Sequence, residues 1–293
     1  MNDNKPQPGL GFAALFSVAI GVIVAQSTIV SLLQAVGIAG WGFTGALAIG
    51  YVLMLCNSAT YAELALMMPR ATGISAYVNA GLGPLPAIFA VFAGYVVPAL
   101  FGPAAELLLV DAVLGALLPA TLPALGWAAL LLGVLVLLNL LGTDVFARVQ
   151  TVLTFTMLAF LVLTGLAAFG APAALPTAGT SGPSQMGDAM TVFGVVALVM
   201  YSLIGTEFVT PLTSLARDPV RHVPRAMFLG LAVVVLANLL FCLGAAHAVG
   251  RDKLGSSALP HLDAAIAAFG PGVKLLFAAV AVTATASLIN TVL

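Results

Sequence analysis

The chain has 293 residues, of which 62% are hydrophobic and 6% charged, and its mean hydropathy is +1.17; no water-soluble fold of this length could cover itself with so little polar surface. Nine basic and ten acidic residues give a net charge of -1, which leaves no basic face for nucleic acid and no acidic tail for a basic partner. The two cysteines, Cys56 and Cys242, lie in apolar runs without CxxC spacing and read as small buried hydrophobes rather than ligands or a disulfide.

A bilayer core about 30 Å thick takes roughly 20 apolar residues as helix, and the apolar runs here are long and continuous, unlike the short alternating segments of a barrel. The sequence therefore predicts an all-α integral membrane protein. Residues 1–10 form a short polar segment, and the apolar run after it reads as a first span rather than a cleaved signal. Spans are expected at 11–37, 42–68, 85–117, 124–142, 149–170, 189–216, 225–249 and 272–293. The stretch APAALPTAGTSGPSQMGD, 171–188, has turn chemistry throughout and divides a first part, 11–170, from a second, 189–293.

Lys5, Arg70, Arg148, Arg217, Arg221 and Arg225 fall on one side of these spans, and Arg251, Lys253 and Lys274 on the other. By the positive-inside rule the N-terminus is cytoplasmic in a cell membrane. The final VTATASLINTVL ends inside an apolar run, which reads as a fragment of a longer transporter-like protein or as a natural eight-span chain.

Span one carries Gly21 and then Gln26, Ser27 and Thr28 among Val and Ile. Polar side chains in hydrocarbon must face protein or a wet cavity, or bond back to their own helix. Span six carries Ser202, Gly205, Thr206, Glu207 and Pro211 at a similar depth. Two interrupted helices in corresponding places are the mark of an inverted repeat, in which exposed backbone N–H groups hold an anion and unwound carbonyls hold a cation. Glu207, one turn past the break, is a proton-coupling candidate or a structural carboxylate bonded to nearby N–H groups or to hydroxyls such as those of Thr206 and Thr210. In span three, Glu106 faces the pathway or a partner helix and is a further proton-coupling candidate, while Asp111 reads as solvated. Asp144 and Arg148 read as an i,i+4 pair, and Thr283, Thr285, Ser287 and Asn290 form a polar stripe in span eight.

The segments YAELALMMPRATGISAYVNAGLGP, 61–84, GTEFVTPLTSLARDPVRHVPRAM, 205–227, and ARVQTVLT, 147–154, resemble the amino acid, polyamine and organocation transporter superfamily. The resemblance implies a leucine-transporter-type inverted repeat of five plus five helices, with the second repeat incomplete, working by alternating access. By position it also implies that Ala25, Gln26 and Ser27 hold an amino acid's carboxylate and that Tyr201, Ser202 and Ile204 hold its amine. Ala25-Gln26-Ser27 departs from the family's Gly-Ser-Gly, so Gln26 either supplies an amide donor or excludes the usual substrates. Met157 stands where some relatives place a lysine, which argues against a lysine-based proton switch.

The expected function is secondary transport of amino acids, driven by protons or exchange, with no cofactor and no metal; polyamines or other organic cations are the alternative cargo. A non-transporting membrane scaffold is the competing class. An enzyme is disfavoured because HExxH, GxSxG, clustered His/Cys ligands and nucleotide-binding glycine loops are absent.

Overall fold

The computed structural model describes residues 9–70, 73–118, 122–141, 143–174 and 189–292. In chain order the helices are α1 (Phe12–Gly21), α2 (Gln26–Ala39), α3 (Gly42–Met67), α4 (Ile74–Leu82), α5 (Pro84–Val91), α6 (Val97–Leu117), α7 (Gly126–Asn139), α8 (Thr143–Gly170), α9 (Ala189–Leu203), α10 (Pro219–Val249), α11 (Arg251–Ser256), α12 (Pro260–Phe269) and α13 (Lys274–Val292). A π-helical turn, Phe92–Val96, joins α5 to α6, and a 3-10 segment, Thr206–Leu215, follows α9. Lys5 and most of the 171–188 connection lie outside the described residues, as does the side chain of Asp144.

Among the described residues six helices are long and apolar enough to cross a bilayer, or seven if the bent pair α1 and α2 counts as one span. Each of the eight expected spans coincides with helix, but the fourth is corrected: α7 has 14 residues. At 1.5 Å per residue it reaches about 21 Å, short of a hydrocarbon core. Its start is set by Asp111, whose carboxylate accepts the N–H groups of Leu125, Trp127 and Ala128 at 3.3, 3.1 and 3.3 Å. Asp111 is thus a helix cap and not the solvated residue expected from sequence, because first-turn N–H groups need an acceptor and favour an anion.

Other boundaries follow the same logic. Asp218 accepts the Arg221 N–H at 3.2 Å while Pro219 opens α10, the arrangement favoured at a helix start. Gly40 ends α2 with φ 56°, where a side chain would strain the backbone.

The core is built around α1 and α2. Every residue from Leu15 to Gly21 is buried, packed among α8, α10 and α13. Small residues bring backbones together: a Cβ on Gly244 of α10 would strike the Gly165 backbone of α8, the close crossing that substitutes for hydrophobic driving force in lipid. Large apolar side chains such as Phe101, Phe193 and Leu236 point outward, as a lipid-facing surface requires. Cys242 is buried but Cys56 is exposed on α3 and both are free, so the expectation of two buried cysteines holds for one.

The start of span one and the end of span six lie side by side. Leu10 donates its N–H to Leu215 at 2.7 Å and accepts that of Arg217 at 3.0 Å, and the Arg217 guanidinium donates to Gly9 at 3.0 Å. These bonds make a parallel backbone bridge between Leu10 and Ala216 and tie the start of α1 to the end of the Thr206–Leu215 segment, at the end of the molecule that carries the Arg217–Arg225 cluster.

Candidate functional site

The first break falls between Gly21 and Gln26, where α1 and α2 meet at 55°. Ala25 is extended (φ -110°, ψ 161°). The Thr28 hydroxyl accepts its N–H at 3.1 Å and lies 2.7 Å from the Ile23 carbonyl, so this side chain pins the non-helical turn. The freed donors of α2 then point at one acceptor. Glu106 of α6 takes the N–H of Ser27 at 2.6 Å and that of Gln26 at 3.2 Å, and the Thr285 hydroxyl lies 3.3 Å from the same carboxylate. Glu106 is fully buried, and it satisfies what would otherwise be orphan donors at a helix N-terminus.

Gln26 ties three elements together. Its amide nitrogen donates to the Ala281 carbonyl at 3.2 Å and to the Thr285 hydroxyl at 2.7 Å, and its amide oxygen faces Nε2 of His261 at 3.3 Å. The cavity beside it, lined by Gln26, Met157, Phe241, His261 and Phe277, holds only about 20 Å³, room for one water. The break is closed around its own polar groups.

The second break follows Leu203. Gly205 has φ 147° and ψ -19°, open to glycine and strained for any side chain. An added Cβ would come within 2.8 Å of Ile23 and 3.1 Å of Val22, so the two breaks touch. The Glu207 carboxylate accepts the Gly205 N–H at 3.1 Å. Its expected hydroxyl partners are engaged elsewhere: Thr206 pairs with Ser58 at 2.8 Å, and Thr210 donates to the Glu207 backbone carbonyl at 2.8 Å. Phe208 meets Tyr95 edge-on at 5.7 Å, and Tyr61 and Tyr77 stand 6.4 Å apart. Among the implied amine-holding residues, Ser202 bonds back to Leu198 at 3.0 Å. Tyr201 and Ile204 direct exposed side chains away from the core, and the Tyr201 carbonyl accepts the Ile204 N–H at 3.4 Å. Pro211 lies in the 3-10 stretch after the break.

A buried polar knot adjoins the first break at Gly21. Gln150 of α8 donates to Ser287 at 2.8 Å and to Thr154 at 3.2 Å, and accepts from Asn290 at 2.9 Å. Ser287 donates to the Gly21 carbonyl at 3.1 Å, and Asn139 donates to Asn290 at 2.9 Å. The knot thus joins α1, α7, α8 and α13. Of the polar stripe read in span eight, Thr285, Ser287 and Asn290 enter these networks, while Thr283 bonds its own helix at Val280. Sequence reasoning passed over Gln150 and His261. Gln150 and Thr154 are four apart on one helical face, which was a usable signal; His261 lies between spans and gave none. Met157 is buried beside the small cavity and makes no polar contact there.

Among the described residues no group of three or more His, Cys, Asp or Glu stands together to hold a metal. The two breaks of this membrane protein thus gather helix-terminal N–H groups, the carboxylates of Glu106 and Glu207, and several hydroxyls and amides.

Comparison with known proteins points the same way. Uncharacterized transporters of Mycobacterium bovis and Mycobacterium tuberculosis are 26% identical to the chain over 258 residues, 87% of its length and 56% of theirs. The chain thus spans about half the length of these curated relatives. The amino acid permease family matches residues 10–293. The chain has the helices of a multi-pass membrane protein, and it belongs to the amino acid permease family.

Proposed function

We propose that the chain forms the substrate-binding part of a secondary transporter that moves amino acids across the cell membrane by alternating access, with its N-terminus in the cytoplasm. In this reading 11–170 and 189–293 belong to two repeats of a leucine-transporter-type five-plus-five fold, the second incomplete, and no cofactor takes part. The observation that carries it is the meeting of the two breaks, with two N–H groups of α2 aimed at a carboxylate.

The carboxylate now in place is the protein's own. An amino acid docking on Gln26 and Ser27 displaces Glu106, and Glu106, deprived of two donors, is the group that takes a proton. Closure over the substrate then moves an amino acid and a proton together. The amine is held by the Tyr201–Ile204 carbonyls across the contact between Gly205 and Ile23. Glu207, whose carboxylate accepts the Gly205 N–H, is the second proton-coupling candidate.

The hold of Glu106 on both N–H groups also favours a second reading, in which the cargo is an organic amine with no carboxylate and Glu106 stays where it is as its counter-ion. Uptake of labelled amino acids and of the corresponding decarboxylated amines into proteoliposomes tests the two. The first predicts amino acid uptake accelerated by an inward proton gradient. With both repeats complete in the reconstituted protein, uptake confined to the amines overturns it, and uptake of neither overturns both.

A further inference from the structure

Between α10 and α13 the chain does not simply turn around. The segment from Arg251 to Phe269 drops α12 between α2, α8 and α10, far enough for His261 to reach Gln26 at the first break. The segment is bracketed by Gly250 (φ 85°) and Gly270 (φ 81°), and nothing stands within 4 Å of a Cβ placed on Gly270. It is a compact piece with its own ties: Lys253 pairs with Asp263 at 3.3 Å, and Ser257 donates to Asp263 at 2.6 Å.

His261 is buried, with its ring 5.0 Å from that of Phe277. The amide nitrogen of Gln26 is committed to Ala281 and Thr285, so the amide oxygen must face the histidine and accept a proton from Nε2. A neutral imidazole that donates through Nε2 leaves Nδ1 as a bare acceptor, and Nδ1 is indeed buried without a partner among the described residues. A second proton on Nδ1 would meet no acceptor. Buried donors and charges without partners are expensive.

We propose that residues 251–269 are a lid over the break and that His261 is its proton-sensitive latch, closing on Gln26 only as the neutral imidazole and opening when protonated. The proposal rests on the reading of the break as the transport site. The charged groups near the latch are Asp263 and Lys253, paired on the lid itself, and Glu106, which reaches His261 only through Gln26; the other faces toward it are Ile29 of α2, Met157 and Phe160 of α8, Phe241 of α10 and Phe277 of α13. Burial, opposed by the Asp263 carboxylate, pulls the latched imidazole down to about 4, against about 6.5 for a histidine in water. The closed lid therefore holds its full stability above about pH 6.5. It loses up to about tenfold in closed-to-open ratio for each pH unit below that, levelling near the latched value.

Hydrogen exchange on the purified chain in lipid nanodiscs reads this without substrate or transport, so its outcome is independent of any uptake result. After correction for intrinsic exchange, protection of the 260–269 amides falls between about pH 7 and 5 by a factor approaching tenfold per unit in its lower half, while the α10 amides stay constant as a folding reference. His261→Gln, which donates to Gln26 but does not titrate, gives pH-independent protection. Asp263→Asn keeps the wild-type slope. Flat wild-type protection, a wild-type slope in His261→Gln, or loss of the slope in Asp263→Asn each overturns the latch.

Discussion

Glu106 and Ser27, 79 residues apart in sequence, are joined by a 2.6 Å hydrogen bond from the Ser27 N–H to the Glu106 carboxylate. A side chain of span three therefore occupies the anion position that the first turn of α2 creates, and substrate and side chain compete for the same donors.

Removing that occupant has a defined consequence. Glu106→Gln keeps one acceptor but turns an N–H₂ toward the second backbone donor, and hydrogen bonds to charged groups contribute about 1.5–3 kcal/mol. The variant is expected to melt at lower temperature and to lose the acceleration of uptake by an inward proton gradient. A proton-accelerated Glu106→Gln protein would take Glu106 out of coupling.

Glu207 separates from Glu106 by the same assay. Its carboxylate accepts from Gly205 in its own turn, so Glu207→Gln preserves one acceptor and costs roughly 1 kcal/mol or less in stability. If coupling runs through Glu106 alone, this variant retains wild-type pH dependence of uptake. If gradient stimulation disappears in Glu207→Gln as well, both carboxylates belong to the relay.

The Gln150 knot is expected to act as glue. Gln150→Ala and Ser287→Ala each remove the bond between them, and interhelical hydrogen bonds in membranes contribute about 0.6–2 kcal/mol. A double-mutant cycle on thermal stability should therefore show a coupling of that size. Strict additivity of the two would mean that the bond contributes nothing to stability.

Close crossing of α8 and α10 depends on Gly165 and Gly244, since a Cβ at either meets backbone of the other helix within 3.0 Å. Gly244→Leu forces the helices apart and is expected to cost several kcal/mol, in the range of severe overpacking. Gly133→Leu, where an added Cβ meets nothing within 4 Å, is the matched control and should fold normally in a detergent-stability assay.

Much of this arrangement was legible in the sequence. Apolar runs located the long helices but overstated the fourth, and Gly21 with Gln26–Thr28 and Gly205 with Pro211 marked both breaks, because polar and helix-breaking residues in a lipid-buried helix are costly and rarely idle. Long-range pairing was not legible. Periodicity placed Glu106 toward a partner but could not say that it reaches the N–H groups of residues 26 and 27. Asp111 looked solvated because its three acceptor contacts lie across a connection. Gln150 was passed over within a segment read for its family resemblance, and His261 because the stretch between spans seven and eight lacked any periodic signal.

The exchange of carboxylates at Gln26 and Ser27 is tested most directly by calorimetric titration of an amino acid in buffers of different ionisation enthalpy, at about pH 7.5, above the imidazole range. The exchange predicts uptake of about one proton per amino acid bound by the wild-type protein and none by Glu106→Gln. Binding without proton uptake in the wild type, or equal uptake in both proteins, would contradict it.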